Sequence, residues 1–256
     1  MLAIQDLTKI YPNGTHALHA FSLDIQNGEV IAVIGGSGCG KSTLLRLLSG
    51  LETPNTGSIA LRGRILKEPD ALVNIVFQEP RLFPWLTVAQ NVGFGLKHLP
   101  ADERSDIISQ VLARLGLGGF EDRWPKELSG GQAQRVSLAR AIVTKPSVLL
   151  LDEPFSALDA MTREDLQSHL IDLWQDLGST LVLVTHDIEE AVFMADRVIV
   201  MRPFPGRIFQ DVRIDLPRPR NRMNSGFTEL RRELSDLLAL SLIPEKSNGP
   251  ILHRLG

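Results

Sequence analysis

The stretch VIAVIGGSGCGKSTLLRLLSG, residues 30–50, decides the fold of this chain. Its first six residues form a continuous apolar run, which predicts a strand that is buried on both faces. Residues 35–42 then read GGSGCGKS and satisfy the pattern G-x-x-x-x-G-K-[ST]. After Lys41 the apolar residues recur at helical spacing. A strand, a glycine-rich loop and a helix in this order predict a P-loop nucleotide-binding fold.

The chemistry of this loop follows from its residue types. Glycines let backbone amides turn toward an anion, and the N-terminus of the helix adds a partial positive charge. We expect Lys41 to reach the β- and γ-phosphates, Ser42 to ligate Mg²⁺ and Thr43 to contact the α-phosphate. We interpret Cys39 as a small side chain that the loop requires rather than as a redox group. The predicted nucleotide-binding residues of the loop are Gly35, Gly36, Ser37, Gly38, Cys39, Gly40, Lys41, Ser42 and Thr43.

Composition narrows the class of protein. The chain has 256 residues, 43% of them apolar, and a net charge of −3, which fits a folded core and gives no general attraction for nucleic acid. Cys39 is the single cysteine, so an intramolecular disulfide is excluded and a cytosolic protein is favoured. The sequence shows no signal peptide and no apolar run near the roughly 18 residues of a membrane span. Any membrane role is therefore expected to pass through a partner.

Apolar runs similar to the first one recur along the chain. They lie at residues 73–77, 147–152, 180–186 and 197–201, and helical spacing separates several of them. This alternation predicts an α/β fold with a parallel sheet. The segments 2–7, 11–25 and 57–63 are instead typical of antiparallel strands, and residues 78–145 have a helical pattern. We expect one domain at 2–233, with a nucleotide-binding core at 2–77 and 146–215, a helical subdomain at 78–145, and a short C-terminal helix and tail at 216–256.

Polar side chains follow three of these runs. Asp152 and Glu153 end the run SVLLLDEP, Gln78 follows VNIVF, and His186 follows TLVLVT. We predict that Asp152 reaches Mg²⁺ directly or through water and that Glu153 acts as the general base on the attacking water. Gln78 would ligate Mg²⁺ or orient that water, and His186 would contact the γ-phosphate and the water. The alternatives are two solvated acids before a turn and a structural histidine.

These motifs together resemble the nucleotide-binding subunit of ATP-binding cassette (ABC) transporters over roughly residues 2–220. The resemblance implies ATP and Mg²⁺ as ligands. It also implies a P-loop NTPase (RecA-like) core with an N-terminal antiparallel β subdomain and an inserted helical subdomain, so residues 2–233 would be an ABC ATPase domain. The matching motifs are Tyr11, which would stack on adenine, the Walker A loop at 35–43, the Q-loop residue Gln78, the signature LSGGQ at 128–132, the Walker B acids Asp152 and Glu153, the D-loop Ser156, Ala157, Leu158 and Asp159, and the switch histidine His186.

The signature at 128–132 is a second glycine-rich loop, and its residue types are suited to binding a phosphate. Ser129 can cap the helix predicted after it, and Gly130 and Gly131 leave backbone amides open beside the positive helix end. With Gln132, these residues would receive a γ-phosphate that another molecule holds; a glycine turn without a ligand is the alternative. The family resemblance implies a head-to-tail homodimer, in which each ATP lies between Walker A of one subunit and the signature of the other, related by a two-fold axis.

The segment RLFPWLTVAQNV at 81–92 resembles the importer branch for nitrate, sulfonates and taurine, as do PGRI at 205–208 and DLPRPRNR at 215–222. This branch implies an ATPase coupled to uptake of a small anionic solute, with aliphatic sulfonates as the first choice. Taurine, nitrate and a thiamine-precursor pyrimidine are the alternatives. It also implies two transmembrane permease subunits, a periplasmic or extracytoplasmic solute-binding protein that acts indirectly, and a peripheral place on the cytoplasmic face of the bacterial inner membrane.

Two further protein classes are weighed against this one. A non-transport ABC ATPase would act on ribosomes or DNA, whereas the resemblance implies no nucleic-acid partner. A simple P-loop kinase or GTPase would leave LSGGQ without a role, and the chain has no N-K-x-D element for guanine. Phe83 and Trp85 are either exposed anchors for a permease helix or buried residues. The arginines of PRPRNR at 217–222 are predicted to lie in a solvated loop or to contact anionic lipid headgroups.

Overall fold

The computed structural model describes residues 1–243, and its centre is a six-stranded sheet. Five neighbouring strands are parallel, and the edge strand β10 is antiparallel to β9. The order across the sheet is β10-β9-β3-β8-β7-β6. The strands are β3 (Val30–Gly35), β6 (Val73–Val76), β7 (Val148–Asp152), β8 (Thr180–Val184), β9 (Arg197–Arg202) and β10 (Arg207–Arg213).

A second, antiparallel sheet of four strands lies on one face of the first. Its order is β2-β1-β4-β5, and alternate side chains of its strands point into a core that also holds α1 and one face of β3. The prediction of antiparallel strands near the N-terminus is confirmed by these pairings. The strands are β1 (Leu2–Ile10), β2 (His16–Ile25), β4 (Thr56–Leu61) and β5 (Arg64–Ile65), and α1 is Lys41–Leu48.

Strand β3 shows how one short run serves two cores. Ile31 and Val33 face α1 and the antiparallel sheet, whereas Val30, Ala32 and Ile34 face the helices on the other side. All six residues of the strand are buried. A run that is covered on both faces must be continuously apolar, which is why the sequence alone indicated a buried parallel strand here.

The helices cover the remaining face and fill the middle of the chain. Within 78–145 the structure has helices α2, α3 and α4 and two 3-10 turns at Gly93–Leu96 and Pro125–Glu127, and no strand. The domain limits at 2–233, 78–145 and 216–256 stay predictions. The remaining helices are α2 (Val88–Val92), α3 (Ala101–Arg114), α4 (Gly130–Ile142), α5 (Ala160–Leu177), α6 (Ile188–Met194) and α7 (Ser225–Ser241).

Strand β10 was not predicted from the sequence. It is an edge strand with an arginine at each end, and its apolar residues alternate only imperfectly with polar and charged ones. The sequence therefore has no continuous apolar run here that would indicate a strand. The C-terminal helix was predicted and is α7. The predicted tail after Ile243 lies outside the described residues. Among residues 1–243, no helix combines the length and apolar character needed to cross a membrane.

The expectations for the arginines at 218, 220 and 222 were wrong, because these side chains bind the body of the protein. Arg220 is only 8% exposed, and its guanidinium donates to the carbonyl oxygens of Val192 at 2.8 Å and Ala195 at 2.6 Å. Burial, with the charge of Arg218, lowers the pKa of Arg220 to about 10. Arg218 pairs with Asp196, and Arg222 pairs with Glu189. These arginines fasten the segment after β10 to both ends of α6 and do not extend into solvent or toward lipid headgroups.

Candidate nucleotide site

The glycine-rich loop after β3 has a backbone that other residues would strain. Gly38 has φ 76° and Gly40 has φ 91°, values in the left-handed region that favours glycine. A Cβ added to Gly40 would lie 2.5 Å from the carbonyl oxygen of Ala17, so the loop also has no room there. Gly40 caps the N-terminus of α1, and the amides of the loop therefore lie beside the positive end of that helix.

Lys41 and Cys39 have different environments within this loop. The Lys41 ammonium donates to the carbonyl oxygens of Gly35 at 2.8 Å and Gly36 at 3.3 Å, so it lies over the loop where phosphates are expected. The Cys39 side chain is fully buried beneath the loop, and burial raises the pKa of its thiol. A neutral, buried thiol is a packing group, since reactivity requires the thiolate.

The carboxyl ends of the parallel strands bring the predicted polar residues to one edge. Asp152 is the last residue of β7, and His186 follows β8 by two residues. The His186 Nδ1 lies 3.1 Å from a carboxylate oxygen of Glu153. The sheet order places β7 and β8 next to one another, which is why two residues 33 positions apart in sequence meet.

Glu153 has a strained backbone that the surrounding loop holds in place. Its φ is 46°, in the left-handed region that costs a non-glycine residue about 1–3 kcal/mol when the neighbours impose it. Its amide donates to the Val184 carbonyl oxygen at 2.9 Å, and its carbonyl oxygen accepts from the Ser156 hydroxyl at 3.0 Å. The backbone turn at Glu153 separates its side chain from that of Asp152 and turns it toward His186.

Asp152 is suited to a cation. Burial, followed by the negative charge of Glu153, raises the pKa of its carboxyl above the ordinary range. A bound cation would relieve both effects, because it would compensate the carboxylate where water does not. Ser42 in the first turn of α1 and Gln78 after β6 are the other predicted oxygen donors. Oxygen ligands of this kind fit Mg²⁺.

Gln78 and Tyr11 connect neighbouring loops to this edge. The Gln78 side-chain amide donates to the Ser156 hydroxyl at 3.2 Å, which joins the loop after β6 to the loop after Glu153. The Tyr11 hydroxyl lies 3.2 Å from Thr43 Oγ1 and donates to Glu52 at 3.0 Å. Glu52 was not singled out from the sequence, since it lies in a loop after α1 and carries no motif.

One cavity of about 480 Å³ unites most of these residues. Tyr11, the glycine-rich loop, Glu153 and His186 line it. Asp152 and Gln78 do not line this cavity, although Gln78 binds a residue of the adjacent loop. The cavity holds a lysine, helix-end amides, a carboxylate and an imidazole, a set that can bind phosphates and activate a water.

The signature residues line a second cavity, of about 610 Å³. Ser129 Oγ accepts from the Gln132 amide at 3.3 Å, and the Gln132 side chain accepts from the Ser129 amide at 2.9 Å, which forms a capping box at the start of α4. The predicted cap is therefore confirmed. Residues 157–159 of the predicted D-loop also line the cavity. Gly116 and Thr162 line it as well and were not indicated by the sequence. Within residues 1–243, no residue lines both cavities.

A family model described as "ABC transporter" matches residues 18–156, more than half of the chain. The chain belongs to the ABC transporter family.

The ABC chain also has close relatives of similar length. It is 49% identical over 225 residues to an aliphatic sulfonates import ATP-binding protein of Xanthomonas axonopodis pv. citri (strain 306), covering 87% of this chain and 89% of the relative. It is 45% identical over 230 residues to a nitrate import ATP-binding protein of Synechocystis sp., covering 86% of each.

Among solved structures, a dimeric ATP-binding cassette in a post-hydrolysis state, bound to ADP and Pi, has a TM-score of 0.76 to this ABC chain and is 31% identical. The match covers 85% of this chain and 100% of that one. The predicted fold class and family are thereby confirmed: the chain has the P-loop NTPase fold of ABC ATPases. The roles of single site residues stay predictions.

Proposed function

We propose that this chain is the ATP-hydrolysing subunit of an ABC importer and that it works as a head-to-tail homodimer. The observation that carries the proposal is the separation of two phosphate-binding loops into two cavities without a common residue. Each cavity alone offers only part of a nucleotide site. A two-fold dimer of the ABC type would place the cavity of one protomer over that of the other, and a solved relative of this fold is dimeric.

The residues of the first cavity would bind and orient ATP. Tyr11 would stack on the adenine, and the amides of the glycine-rich loop with Lys41 would hold the phosphates. Mg²⁺, held by Ser42, Asp152 and Gln78, would neutralise charge on the phosphate oxygens. These roles are supported by the position of Lys41 over the loop and by the raised pKa of Asp152.

Glu153 and His186 would act on the attacking water. The Glu153 carboxylate would accept its proton as a general base. His186, 3.1 Å from that carboxylate, would orient the carboxylate and contact the γ-phosphate. The strained backbone of Glu153 supports this role, because such strain is retained where the surrounding structure fixes a functional side chain.

The signature would close the site from the other protomer. The open amides at the start of α4, with Ser129 and Gln132, would bind the γ-phosphate that Lys41 of the partner protomer holds. Hydrolysis would remove the charge that both loops share, and the closed dimer would then open. The two states differ in their phosphate contacts, so the cycle can do work on a docked partner.

A groove of about 560 Å³ on the helical part is suited to a permease subunit. Trp85 is 68% exposed there, Phe83 packs between Trp85 and Phe94 at ring distances of 5.7 and 4.7 Å, and Lys97 and Arg104 line the same groove. We propose that a short permease helix with apolar residues and an acidic side chain docks here. The chain would therefore sit on the cytoplasmic face of the inner membrane, bound to two permease subunits, and a solute-binding protein would act on it only through them.

Aliphatic sulfonates are the proposed cargo. The relatives named for aliphatic sulfonate import support this choice, and a relative named for nitrate import supports nitrate as an alternative. Taurine and a thiamine-precursor pyrimidine are further alternatives that only the branch resemblance suggests. All of these substrates would be chosen by the permease and the binding protein, since none of them meets the nucleotide site.

Deleting the gene and testing growth decides the cargo. We expect the deletion strain to fail with an aliphatic sulfonate as sole sulfur source and to grow with sulfate. Failure with nitrate as sole nitrogen source, and normal growth on sulfonate, would overturn sulfonate in favour of nitrate.

A tagged chain purified from detergent-solubilised membranes should carry a permease. The Trp85→Ala variant should lose the permease, whereas Ile65→Ala, which changes an exposed apolar residue on β5, should keep it. Recovery with soluble ribosomal or DNA-bound partners alone would favour a non-transport ABC ATPase.

A further inference from the structure

Arg163, in the first turn of α5, contacts two loops that belong to different cavities. Its Nη2 donates to the carbonyl oxygen of Leu158 at 2.9 Å. Its Nη1 lies 3.5 Å from Asp187 Oδ2, and its Nε lies 4.0 Å from Glu190 Oε1. The side chain is 31% exposed, so these contacts are partly shielded from water.

The carboxylates that Arg163 faces hold both sides of His186. Asp187 caps α6 through Oδ1, which accepts from the Glu189 amide at 2.8 Å. Buried Glu190 accepts from the Thr185 hydroxyl at 2.6 Å, and that hydroxyl oxygen accepts from the Asp187 amide at 3.0 Å. Residues 185 and 187 are therefore fixed by the same cluster, and His186 lies between them.

The other contact of Arg163 belongs to the signature cavity. Leu158 lines that cavity with Asp159 and Thr162, and Asp159 Oδ1 accepts from the Thr162 amide at 3.1 Å to begin α5. Arg163 is the next residue of that helix. A displacement of the loop 156–159 by a partner protomer would therefore move the Arg163 guanidinium, because a hydrogen bond joins them.

The contacts of Arg163 differ in strength at its two ends. The bond of 2.9 Å to Leu158 is a normal hydrogen bond, whereas separations of 3.5 and 4.0 Å to the carboxylates are ion pairs with room to shorten. The guanidinium is thus held by the loop 156–159 and attracts the His186 loop. This geometry lets the His186 loop follow a movement of the loop 156–159.

We propose that Arg163 is a positioning residue that transmits movement of the loop 156–159 to His186, so that contact with the partner protomer aligns His186 with Glu153. The proposal rests on the proposed ATPase function. Through this residue, the signature face of a protomer would control the hydrolytic residues of its own P-loop cavity. The two ATP sites of a dimer would then be coupled through the chain, and not only through the shared phosphates.

Hydrogen exchange tests the physical link in the nucleotide-free chain. Arg163→Met should accelerate exchange of the amides in 156–159 and in 185–187 together, by about tenfold, since both loops lose a fixed contact. Arg114→Met removes another Arg–Asp pair, between α3 and α5, and should leave both loops unchanged. Faster exchange in one loop alone, or in neither, would overturn the proposed link.

Steady-state kinetics test whether Arg163 acts through His186. Arg163→Met should lower kcat by about 10- to 100-fold, the range expected for a misplaced catalytic group, with KM for ATP changed less than about twofold. In a His186→Ala background the same substitution should change kcat by less than about twofold, because it acts through His186. Independent, multiplying losses would show a general structural role and overturn the proposal.

Arg163→Lys separates position from charge. The lysine keeps a positive charge beside both carboxylates, but its single ammonium cannot reproduce the planar fork that spans Leu158 and the two acids. We expect Arg163→Lys to show most of the loss of kcat that Arg163→Met shows. A kcat equal to that of the unmodified chain would overturn the positioning role. If the unmodified chain hydrolyses no ATP, the proposed function fails, and the exchange measurement still decides whether Arg163 joins the two loops.

Discussion

The two glycine-rich cavities of this chain differ in what they can do with a phosphate. The P-loop cavity contains Lys41, the Glu153 carboxylate and the His186 imidazole. The signature cavity contains helix-end amides, the Ser129 hydroxyl and the Gln132 amide, with Arg135 and Asp159 at its wall. The first cavity therefore holds a carboxylate beside an imidazole, the groups proposed to act on the attacking water, whereas the second holds groups proposed to bind phosphate.

In the proposed head-to-tail dimer, this difference would divide binding and hydrolysis between two copies of the chain. A cavity with hydrolytic groups that closed on ATP by itself would hydrolyse it whether or not a partner was ready. Placing the signature donors in a different cavity from the proposed hydrolytic groups would make turnover depend on assembly of the dimer.

Glu153→Gln should separate binding from hydrolysis in the P-loop cavity. Loss of a general base typically costs about 10²- to 10⁴-fold, so kcat should fall by that range while ATP binding remains. Dimers should accumulate with ATP, as measured by size-exclusion chromatography with light scattering. Glu68→Gln, an exposed glutamate far from any motif, should hydrolyse ATP normally. Full turnover by Glu153→Gln would contradict its role as base.

Mixing two inactive variants tests whether the cavities pair between chains. Lys41→Ala removes the phosphate lysine, and Ser129→Arg blocks the signature. In a head-to-tail dimer of one chain of each kind, both lesions fall in the same composite site, and the other site stays intact. An equal mixture should therefore recover ATPase activity to within about tenfold of the unmodified chain. No recovery above the separate variants would indicate that each chain closes its own two loops.

Ser129→Ala should weaken the signature cavity without touching the P-loop cavity. The lost cap costs about 1 kcal/mol in free energy of unfolding, and ATP binding to the monomer should not change. In the Glu153→Gln background, ATP-dependent dimers should become scarcer. Thr87→Ala is a matched control, since Thr87 caps α2 through a capping box with the same 3.3 Å bond to the third helical amide. Equal effects of both variants on dimers would remove the special role of the signature.

The sequence predicted those features that local pattern controls. A buried strand, the loop 35–42 and a helix follow from neighbouring residues, and so do the cap at Ser129 and the acids that end β7. The placement of Glu153 beside His186 followed from the strand ends and the motifs, whereas tertiary contacts of residues outside the motifs were not predicted. Glu52 meets Tyr11 across 41 positions, and Arg163 meets the His186 loop through helix packing alone.

The arginines after β10 show why composition misleads about exposure. A segment rich in proline and arginine is typical of a solvated loop, but here Arg220 is buried and satisfies carbonyl oxygens at the end of α6. Helix ends leave carbonyl groups without partners within the helix, and a guanidinium offers five donors in one plane. The sequence does not show which helix end will accept the donors of a given arginine, because that depends on how the helices pack in the folded chain.

Asp152→Asn should reveal a small stability cost of the cation site. The pKa of Asp152 is raised by burial and then by the charge of Glu153, so the folded chain holds this proton more tightly than the unfolded chain does. The carboxylate therefore destabilises the fold as pH rises from about 3.9, the ordinary value, through the raised pKa, and fully above it.

At pH 7 the free energy of unfolding of Asp152→Asn should be higher by roughly 0.5 kcal/mol, at the low end of stabilising substitutions, because no charge is left to bury. Thermal melts of the nucleotide-free chain should show most of this gain vanish near pH 4, while Asp172→Asn, at an exposed position, should show no such trend. With Mg²⁺ and ATP bound, the unmodified chain should be more stable than Asp152→Asn, since only the Asp152 carboxylate gains stability from the bound cation. If the variant is instead less stable at pH 7 and equally stabilised by Mg²⁺ and ATP, Asp152 is not a ligand of the cation, and only Ser42 and Gln78 remain as predicted ligands.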